Sequence, residues 1–180
     1  LAHPGGNITG RTNITGDLGP KQIELLLAMV PKVSRMAVLM NSTGPADSRT
    51  AEIIQAAGQK RRVTVVRAEA GTPQEIETAF STMVREKAGA LIVLLNPLFN
   101  QQRNQIAELA AKHRLPTIAG DRGFAEAGCL MSYGANLADD FHRLATHVDK
   151  IFKGAKPSDL PVEQPTRFEL INYGKTAKAL

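Results

Sequence analysis

Residues 90–95 read Ala-Leu-Ile-Val-Leu-Leu and are the strongest predicted β-strand of the chain. A short run without polar residues is typical of a strand that is covered on both faces, as in a parallel sheet. Residues 36–40 (Met-Ala-Val-Leu-Met) form a second run of this kind, and 63–66 and 115–119 are two further predicted strands. These runs predict the centre of one buried sheet.

Helices are predicted between these strands. Apolar residues recur at helical spacing over 23–30, and a second helix opens at Pro45 and Asp47. Thr72-Pro-Gln-Glu75 is a capping box that begins a third helix, and Asn100 is predicted to cap a fourth. Strands that alternate with helices predict an α/β protein with a doubly wound, mostly parallel open sheet.

The pattern changes after the last of these strands. A short strand over 130–133 is followed by Asn136, which is predicted to cap a helix that runs to Phe152. The apolar residues of this helix are predicted to face inward: Leu137, Phe141, Leu144, Val148 and Ile151. Beyond a proline-rich segment, 167–171 alternates like a half-buried strand, and 176–180 has the pattern of a helix start.

Composition excludes several classes of protein. The chain has 180 residues, of which 43% are hydrophobic, and one cysteine, so it is neither disordered nor built on disulfides. No apolar run approaches the roughly 18 residues needed to cross a bilayer. The net charge of +5 is small and the basic cluster at 60–62 has no interleaved aromatic residue, so no nucleic-acid partner is expected. Because the chain begins at Leu1 without an initiator methionine, we expect it to be part of a longer protein.

Glycines crowd the beginning of the chain. The sequence Asn-Ile-Thr-Gly occurs at 7–10 and again at 13–16. This glycine density predicts turns or a crossing segment rather than a regular element. Both copies match the N-glycosylation triplet, and we attribute the match to chance because such short triplets recur often.

The sequence contains none of the usual catalytic constellations. It has no Gly-x-Ser-x-Gly elbow and no Gly-x-Gly-x-x-Gly fingerprint after a strand. His142 and His147 lie about 140° apart around a helix, so they cannot share a metal ion. Cys129 borders an apolar strand, where a buried packing role is commoner than a reactive one. We therefore predict a protein that is not an enzyme, with no catalytic residue, no cofactor and no metal site.

Small polar residues follow the predicted strands at their carboxyl ends, the edge at which open α/β sheets bind ligands. Amide and hydroxyl groups there can hydrogen-bond a polar small molecule without reacting with it. The candidate ligand-binding residues are Asn41, Ser42, Thr43, Asn96, Pro97, Gly120, Asp121 and Arg122. The adjacent Asp121 and Arg122 either form a local salt bridge or bind the ammonium and carboxylate groups of a zwitterion.

Several segments together resemble one protein family. They are 4–10 (Pro-Gly-Gly-Asn-Ile-Thr-Gly), 21–27, 33–41 (Val-Ser-Arg-Met-Ala-Val-Leu-Met-Asn), 131–136 (Met-Ser-Tyr-Gly-Ala-Asn) and the closing 154–168. Through essentially the whole chain and in this order, they are similar to the tryptophan/tyrosine-type substrate-binding proteins of ABC transporters.

The resemblance implies a type I-like periplasmic-binding-protein fold, in which two α/β lobes are hinged around a ligand cleft. This chain would supply the second lobe at 11–130, with a flavodoxin-like strand order. Residues 1–10 and 131–180 would be crossings, a helix and a strand that belong with a first lobe outside this sequence. The helix over 136–152 would then lack its natural partner, so we expect the fragment to form a homodimer through it.

The resemblance also implies a function. Such proteins are periplasmic or otherwise extracytoplasmic, and they deliver a small, amino-acid-like ligand, aromatic in some members, to the membrane permease of an ABC importer. Tyr133 would lie at a crossing, where its ring could stack on the ligand. The loop after Leu95 offers no acidic residue for a ligand ammonium group. With half of the cleft absent, we expect weak or no ligand binding by this chain alone.

Two other classes of protein stay open. The same two-lobe architecture serves as the ligand-sensing domain of transcription regulators, which a DNA-binding helix-turn-helix upstream would reveal. An enzyme on a flavodoxin-like fold, with Asp121 as nucleophile or base, would need a converging partner residue, and the sequence pattern offers none.

Overall fold

The computed structural model describes residues 4–12, 18–41 and 44–179. The predicted site residues Ser42 and Thr43, and the second Asn-Ile-Thr-Gly copy, lie outside the described residues. None of the helices in the described part of the chain has the length and apolar character needed to span a membrane.

The described residues form six strands and eight α-helices. The strands are β1 (Arg35–Met40), β2 (Thr64–Glu69), β3 (Leu91–Val93), β4 (Thr117–Ala119), β5 (Met131–Ala135) and β6 (Phe168–Asn172). The helices are α1 (Gly19–Met29), α2 (Pro45–Lys60), α3 (Pro73–Arg85), α4 (Pro97–Gln101), α5 (Arg103–Lys112), α6 (Arg122–Ala127), α7 (Leu137–Phe152) and α8 (Gly174–Ala179). A single 3₁₀ turn at Pro157–Asp159 lies between α7 and β6.

The strands form one sheet in the order β2-β1-β3-β4-β5-β6. The pairs β1–β2, β1–β3, β3–β4 and β4–β5 are parallel, and Val38 of β1 lies opposite both Arg67 of β2 and Ile92 of β3. This sheet confirms the predicted doubly wound, mostly parallel α/β class, and the order of its first five strands is flavodoxin-like.

Helices cover both faces of the sheet, which explains why its central strands lack polar residues. Because neighbouring residues of a strand point to opposite faces, β1 contributes to two clusters. On one face Leu39 packs in a cluster with Phe80 and Phe124. On the other face Val38 packs in a cluster with Ile54. Each such fully buried apolar side chain stabilises the fold by about 1.5–3 kcal/mol.

The predicted capping box at the start of α3 is confirmed. The Thr72 hydroxyl accepts a hydrogen bond from the Glu75 N–H at 3.3 Å. The Glu75 carboxylate in turn accepts from the Gly71 N–H at 2.6 Å, one residue earlier than in the usual box. Two backbone donors at the start of the helix are therefore satisfied by side chains.

The predicted cap at Asn100 is wrong. Asn96 caps the short α4 instead, because its Oδ1 accepts a hydrogen bond from the Leu98 N–H at 3.0 Å. Pro97 follows it at the first helical position, which suits proline's fixed φ and missing donor. The longer α5 begins only at Arg103.

The chain divides into two compact units. The sheet unit comprises Thr15–Gly134 with Leu170–Leu180, and the α7 unit comprises Leu1–Ile14 with Ala135–Glu169. That residues 11–130 form the second lobe of a protein with two lobes stays a prediction. The end of the chain, which that prediction placed with the crossing segments, groups here with the sheet unit.

The predicted start of α7 is confirmed, but the packing predicted for its apolar face is wrong. Asn136 caps the helix, since its Oδ1 accepts a hydrogen bond from the Asp139 N–H at 2.9 Å. Phe141 is 69% exposed, and Val148 and Ile151 are exposed as well. The described residues of the α7 unit supply almost no buried apolar side chains against which this face could pack.

Candidate ligand-binding site

A cleft of about 90 Å³ opens at the carboxyl edge of the sheet unit. From β1 the chain proceeds to β2 on one side, and it later enters β3 on the other side of β1. Connections diverge at such a switch point and leave a crevice between them, which is where α/β sheets bind ligands. The residues that line the cleft include Leu18, Gln22, Asp47, Thr50, Leu95 and Gly120.

Asp47, in the first turn of α2, is the acidic side chain of this cleft. It is only 9% exposed. Its Oδ2 accepts a hydrogen bond from the Asn41 N–H at 2.9 Å and another from the Asn96 Nδ2 at 3.3 Å. The carboxylate therefore joins the loops that follow β1 and β3, the two strands that flank the switch point.

Gln22 of α1 brings a second buried polar side chain to the cleft, and it is 5% exposed. Its Nε2 donates a hydrogen bond to the main-chain oxygen of Tyr133 in β5 at 3.3 Å. An unpaired buried amide costs about 1–3 kcal/mol, so this bond favours one orientation of the side chain. This hydrogen bond therefore links the first turn of α1 to β5.

Two glycines allow close packing beside the cleft. A Cβ added at Gly134 would overlap the main-chain oxygen of Gly120. A Cβ added at Gly120 would come within 2.9 Å of the Leu95 side chain. The ends of β4 and β5 can approach each other because Gly134 carries no side chain, and the absence of a side chain at Gly120 leaves room for Leu95.

The structure brings three of the predicted site residues to one place. Gly120 lines the cleft, and Asn41 and Asn96 both hydrogen-bond the Asp47 carboxylate. Pro97 is exposed on the first turn of α4 and does not line the cleft. Tyr133 is half-buried in β5, and its main-chain oxygen accepts the bond from the buried amide of α1.

Asp121 and Arg122 do not form the salt bridge with each other that was one of the two possibilities open from the sequence. Asp121 caps α6, since its Oδ1 accepts a hydrogen bond from the Gly123 N–H at 2.8 Å. Arg122 donates from Nε to Glu126 at 2.8 Å, one helical turn further along. Both side chains thus have local roles in α6, and a role in ligand binding stays a prediction for each.

The sequence pattern does not identify Asp47 or Gln22 as site residues. From the sequence, Asp47 is predicted only to begin a helix, although the first turn of a helix that follows a strand lies at the carboxyl edge of the sheet. That position was the available signal. Gln22 lies in an amphipathic helix among apolar residues, and only the register of α1 against the sheet places it at the cleft.

Reactive side chains lie elsewhere. Cys129, two residues after α6, is buried, and burial raises the pKa of its thiol to about 12, so the group is protonated at neutral pH. His147 is buried in α7, where its Nε2 lies 3.1 Å from the Pro161 oxygen. The described residues include no group of three or more His, Cys, Asp or Glu side chains that could hold a metal ion.

Comparison with known sequences identifies a family and a relative. The family model described as "ABC transporter substrate binding protein" matches residues 1–180. A tyrosine-binding protein from Clostridioides difficile (strain R20291) is 24% identical over 180 residues, which are 100% of this chain and 51% of the relative. The chain therefore spans about half the length of that curated protein.

Comparison with solved structures shows the fold. An ABC domain in complex with L-Trp from Streptococcus pneumonia superposes with a TM-score of 0.87 at 24% identity, covering 99% of this chain and 61% of that one. A ligand-free, open substrate-binding protein with adhesive properties from Clostridium difficile superposes with a TM-score of 0.73 at 24% identity. The coverage there is 99% of this chain and 60% of that one.

Proposed function

Because the chain belongs to the ABC transporter substrate-binding protein family, we propose that it binds an aromatic amino acid and delivers it to the permease of an ABC importer. The ligand class is taken from the relatives, which are a tyrosine-binding protein and a protein in complex with L-Trp. The observation that carries the proposal is the cleft at the switch point, where Asp47 and Gln22 lie beside apolar side chains. An amino acid with an aromatic side chain needs both kinds of group.

The small volume of the cleft supports the proposal that this chain supplies only one part of the ligand-binding pocket. Pockets for small molecules measure roughly 300–1,000 Å³, whereas the cleft of the sheet unit measures about 90 Å³. A second α/β lobe that closes over this edge would supply the remaining walls. The ligand would favour the closed state only to the extent that it binds that state more tightly than the open one. The permease would then distinguish the loaded protein by its closed shape, outside the cytoplasm.

The proposal is tested by thermal stability of the chain in its full natural length. We expect L-tyrosine or L-tryptophan to raise the melting temperature, by mass action of a ligand that binds only the folded state. Aspartate and lysine serve as amino-acid controls, and ribose and arabinose as sugar controls. Stabilisation by a sugar alone, or by none of these compounds, would contradict the proposal.

The 180-residue chain by itself is expected to bind ligand weakly or not at all. Its lining supplies only part of a pocket, so most of the ligand surface would stay in water. Calorimetry of this chain with L-tyrosine tests the expectation, and micromolar affinity would contradict it.

The chain by itself is also expected to form a homodimer through α7. The exposed face with Phe141, Val148 and Ile151 would be buried by a second copy. Light scattering should show a mass that rises with concentration, and Phe141→Glu should keep the chain monomeric. A monomeric wild-type chain at high concentration would contradict this part of the proposal.

A further inference from the structure

We infer that Asp47 is the residue of the sheet unit that binds the ligand's ammonium group and thereby selects amino acids over neutral solutes. This inference rests on the proposed function and names the ligand chemistry of the same cleft. Its starting point is the burial of the side chain, which is nine-tenths removed from water yet lines the cleft. Asp and Glu are mostly exposed in folded proteins, and they are almost never fully buried unless they are paired.

No cation of the chain pairs with this carboxylate among the described residues. The described ion pairs join Lys or Arg to other acidic residues, such as Glu24, Glu86 and Glu126. Among the described residues, the hydrogen-bond donors to Asp47 are uncharged: the Asn41 N–H and the Asn96 amide. A buried charge is costly unless an opposite charge or a metal compensates it. A ligand ammonium group in the cleft would provide that compensation.

The two donors also orient the carboxylate. Both hydrogen bonds reach the same atom, Oδ2, and they come from the loops that follow β1 and β3. A carboxylate has about four lone-pair positions, so these two bonds leave acceptor capacity for an N–H donor of a ligand. Asn41 and Asn96 are thus positioning residues, which act on the ligand through Asp47.

A purely structural role would also place an acidic residue here, because negative charge is favoured in the first turn of a helix. The chain contains a matched case. Glu75 holds the same third position in α3 that Asp47 holds in α2, each helix beginning with a proline. Glu75 likewise accepts a backbone N–H from the preceding loop, that of Gly71 at 2.6 Å. Glu75 is exposed and does not line the cleft, so it carries the helix role without the ligand role.

The test compares amino acids with their deaminated analogues. In the chain in its full natural length, calorimetry measures the affinity for L-tyrosine and for 3-(4-hydroxyphenyl)propionate, which lacks the ammonium group. Wild type should prefer L-tyrosine. Asp47→Asn keeps the shape and an oxygen acceptor, and it should weaken L-tyrosine binding by about ten- to a hundredfold, the range for a hydrogen bond to a charged group. It should leave the affinity for the analogue unchanged or raise it.

Glu75→Gln is the matched control. Its affinities for L-tyrosine and for the deaminated analogue should stay within about twofold of wild type, because the Glu75 carboxylate is exposed to solvent and lies outside the cleft. Circular dichroism and the melting temperature of the same preparations show whether Asp47→Asn is folded. If Asp47→Asn is unfolded, Asp47→Glu is measured instead. This variant keeps the charge but moves it, and it should show the same loss of selectivity for L-tyrosine. Equal weakening of both ligands, or no weakening, would overturn the inference while the proposed function stands. If wild type binds neither tyrosine nor tryptophan, the proposed function itself fails.

Discussion

The sheet unit and the α7 unit are stabilised in different ways. In the sheet unit, apolar side chains fill both faces of a parallel sheet, and residues such as Phe80, Leu91 and Phe124 are fully buried. Among the described residues of the α7 unit, Leu160 is the only large apolar side chain that is buried, while Phe141 and Phe152 are exposed. A core of its own therefore stabilises the first unit and not the second.

Polar contacts take the place of a core in the α7 unit. Arg11 is central to them, with a side chain only 7% exposed. It donates to Asp140 and to Glu163, each at 2.6 Å. A parallel bridge also pairs the backbones of Arg11 and Glu163, so the first segment of the chain runs beside the segment that follows α7. Charge pairing of this kind holds two extended segments in one register without burying apolar surface.

An amphipathic pattern predicts less for α7 than for α3. The apolar periodicity of α7 is as regular as that of α3, yet α3 buries Ile76 and Phe80 whereas α7 exposes Phe141. A pattern predicts that a helix has an apolar face, but it does not predict whether the same chain supplies the surface that covers it.

The largest expected effect concerns the core of the sheet unit. Phe80→Ala removes a fully buried ring that stacks against His113, and we expect the free energy of unfolding to fall by about 3–5 kcal/mol. Phe141→Ala in α7, at low protein concentration, should change it by no more than about 0.5 kcal/mol. Urea denaturation measures both. Similar losses for the two variants would erase the distinction between the units.

An intermediate effect is expected for Arg11→Met. Removal of the guanidinium leaves Asp140 and Glu163 without their partner, at a cost of about 1.5–3 kcal/mol for bonds to charged groups. The loss should be local to the α7 unit. Hydrogen exchange should therefore accelerate at the amides of Thr12 and Glu163, which bond across the two segments, and stay unchanged in β1. Uniform acceleration throughout the chain would show that the units do not open separately.

The smallest expected effect is a pH dependence from Cys129 in the sheet unit. Burial raises the pKa of this thiol from 9.0 to about 12, so between these values the unfolded state binds fewer protons than the folded state. Stability conferred by the protonated thiol is complete below pH 9 and is lost as the pH rises toward 12. Between pH 8 and pH 10 wild type should lose roughly 1 kcal/mol more than Cys129→Ala. Urea unfolding under reducing conditions checks this, and parallel pH profiles would contradict it.

Most of the sheet could be predicted from the sequence because the apolar composition of its central strands indicates that both of their faces are buried. Residues 36–40 and 90–95 are wholly apolar, and only a strand covered on both faces tolerates that. The end of β3 could not be predicted, because the apolar run continues through Leu95 while the strand ends at Val93. The last two residues of that run line the cleft instead.

The candidate site was harder to predict than the fold. The strand ends led directly to Asn41 and Asn96, since the rule that ligands bind there needs only the order of elements. Asp47 is 49 positions away from Asn96, and their contact depends on β1 and β3 lying side by side in the sheet. Conversely, Asp121 and Arg122 suggested a binding site for a zwitterion because the sequence shows that they are adjacent. It does not show that their side chains bond to partners within α6.

The most direct test is a crystal structure of the chain in its full natural length with L-tyrosine bound. We expect the ligand at the carboxyl edge of the sheet between β1 and β3, with its ammonium nitrogen within about 3 Å of the Asp47 carboxylate. A ligand bound away from this edge, or one that reaches the edge with its ammonium group turned away from Asp47, would contradict it.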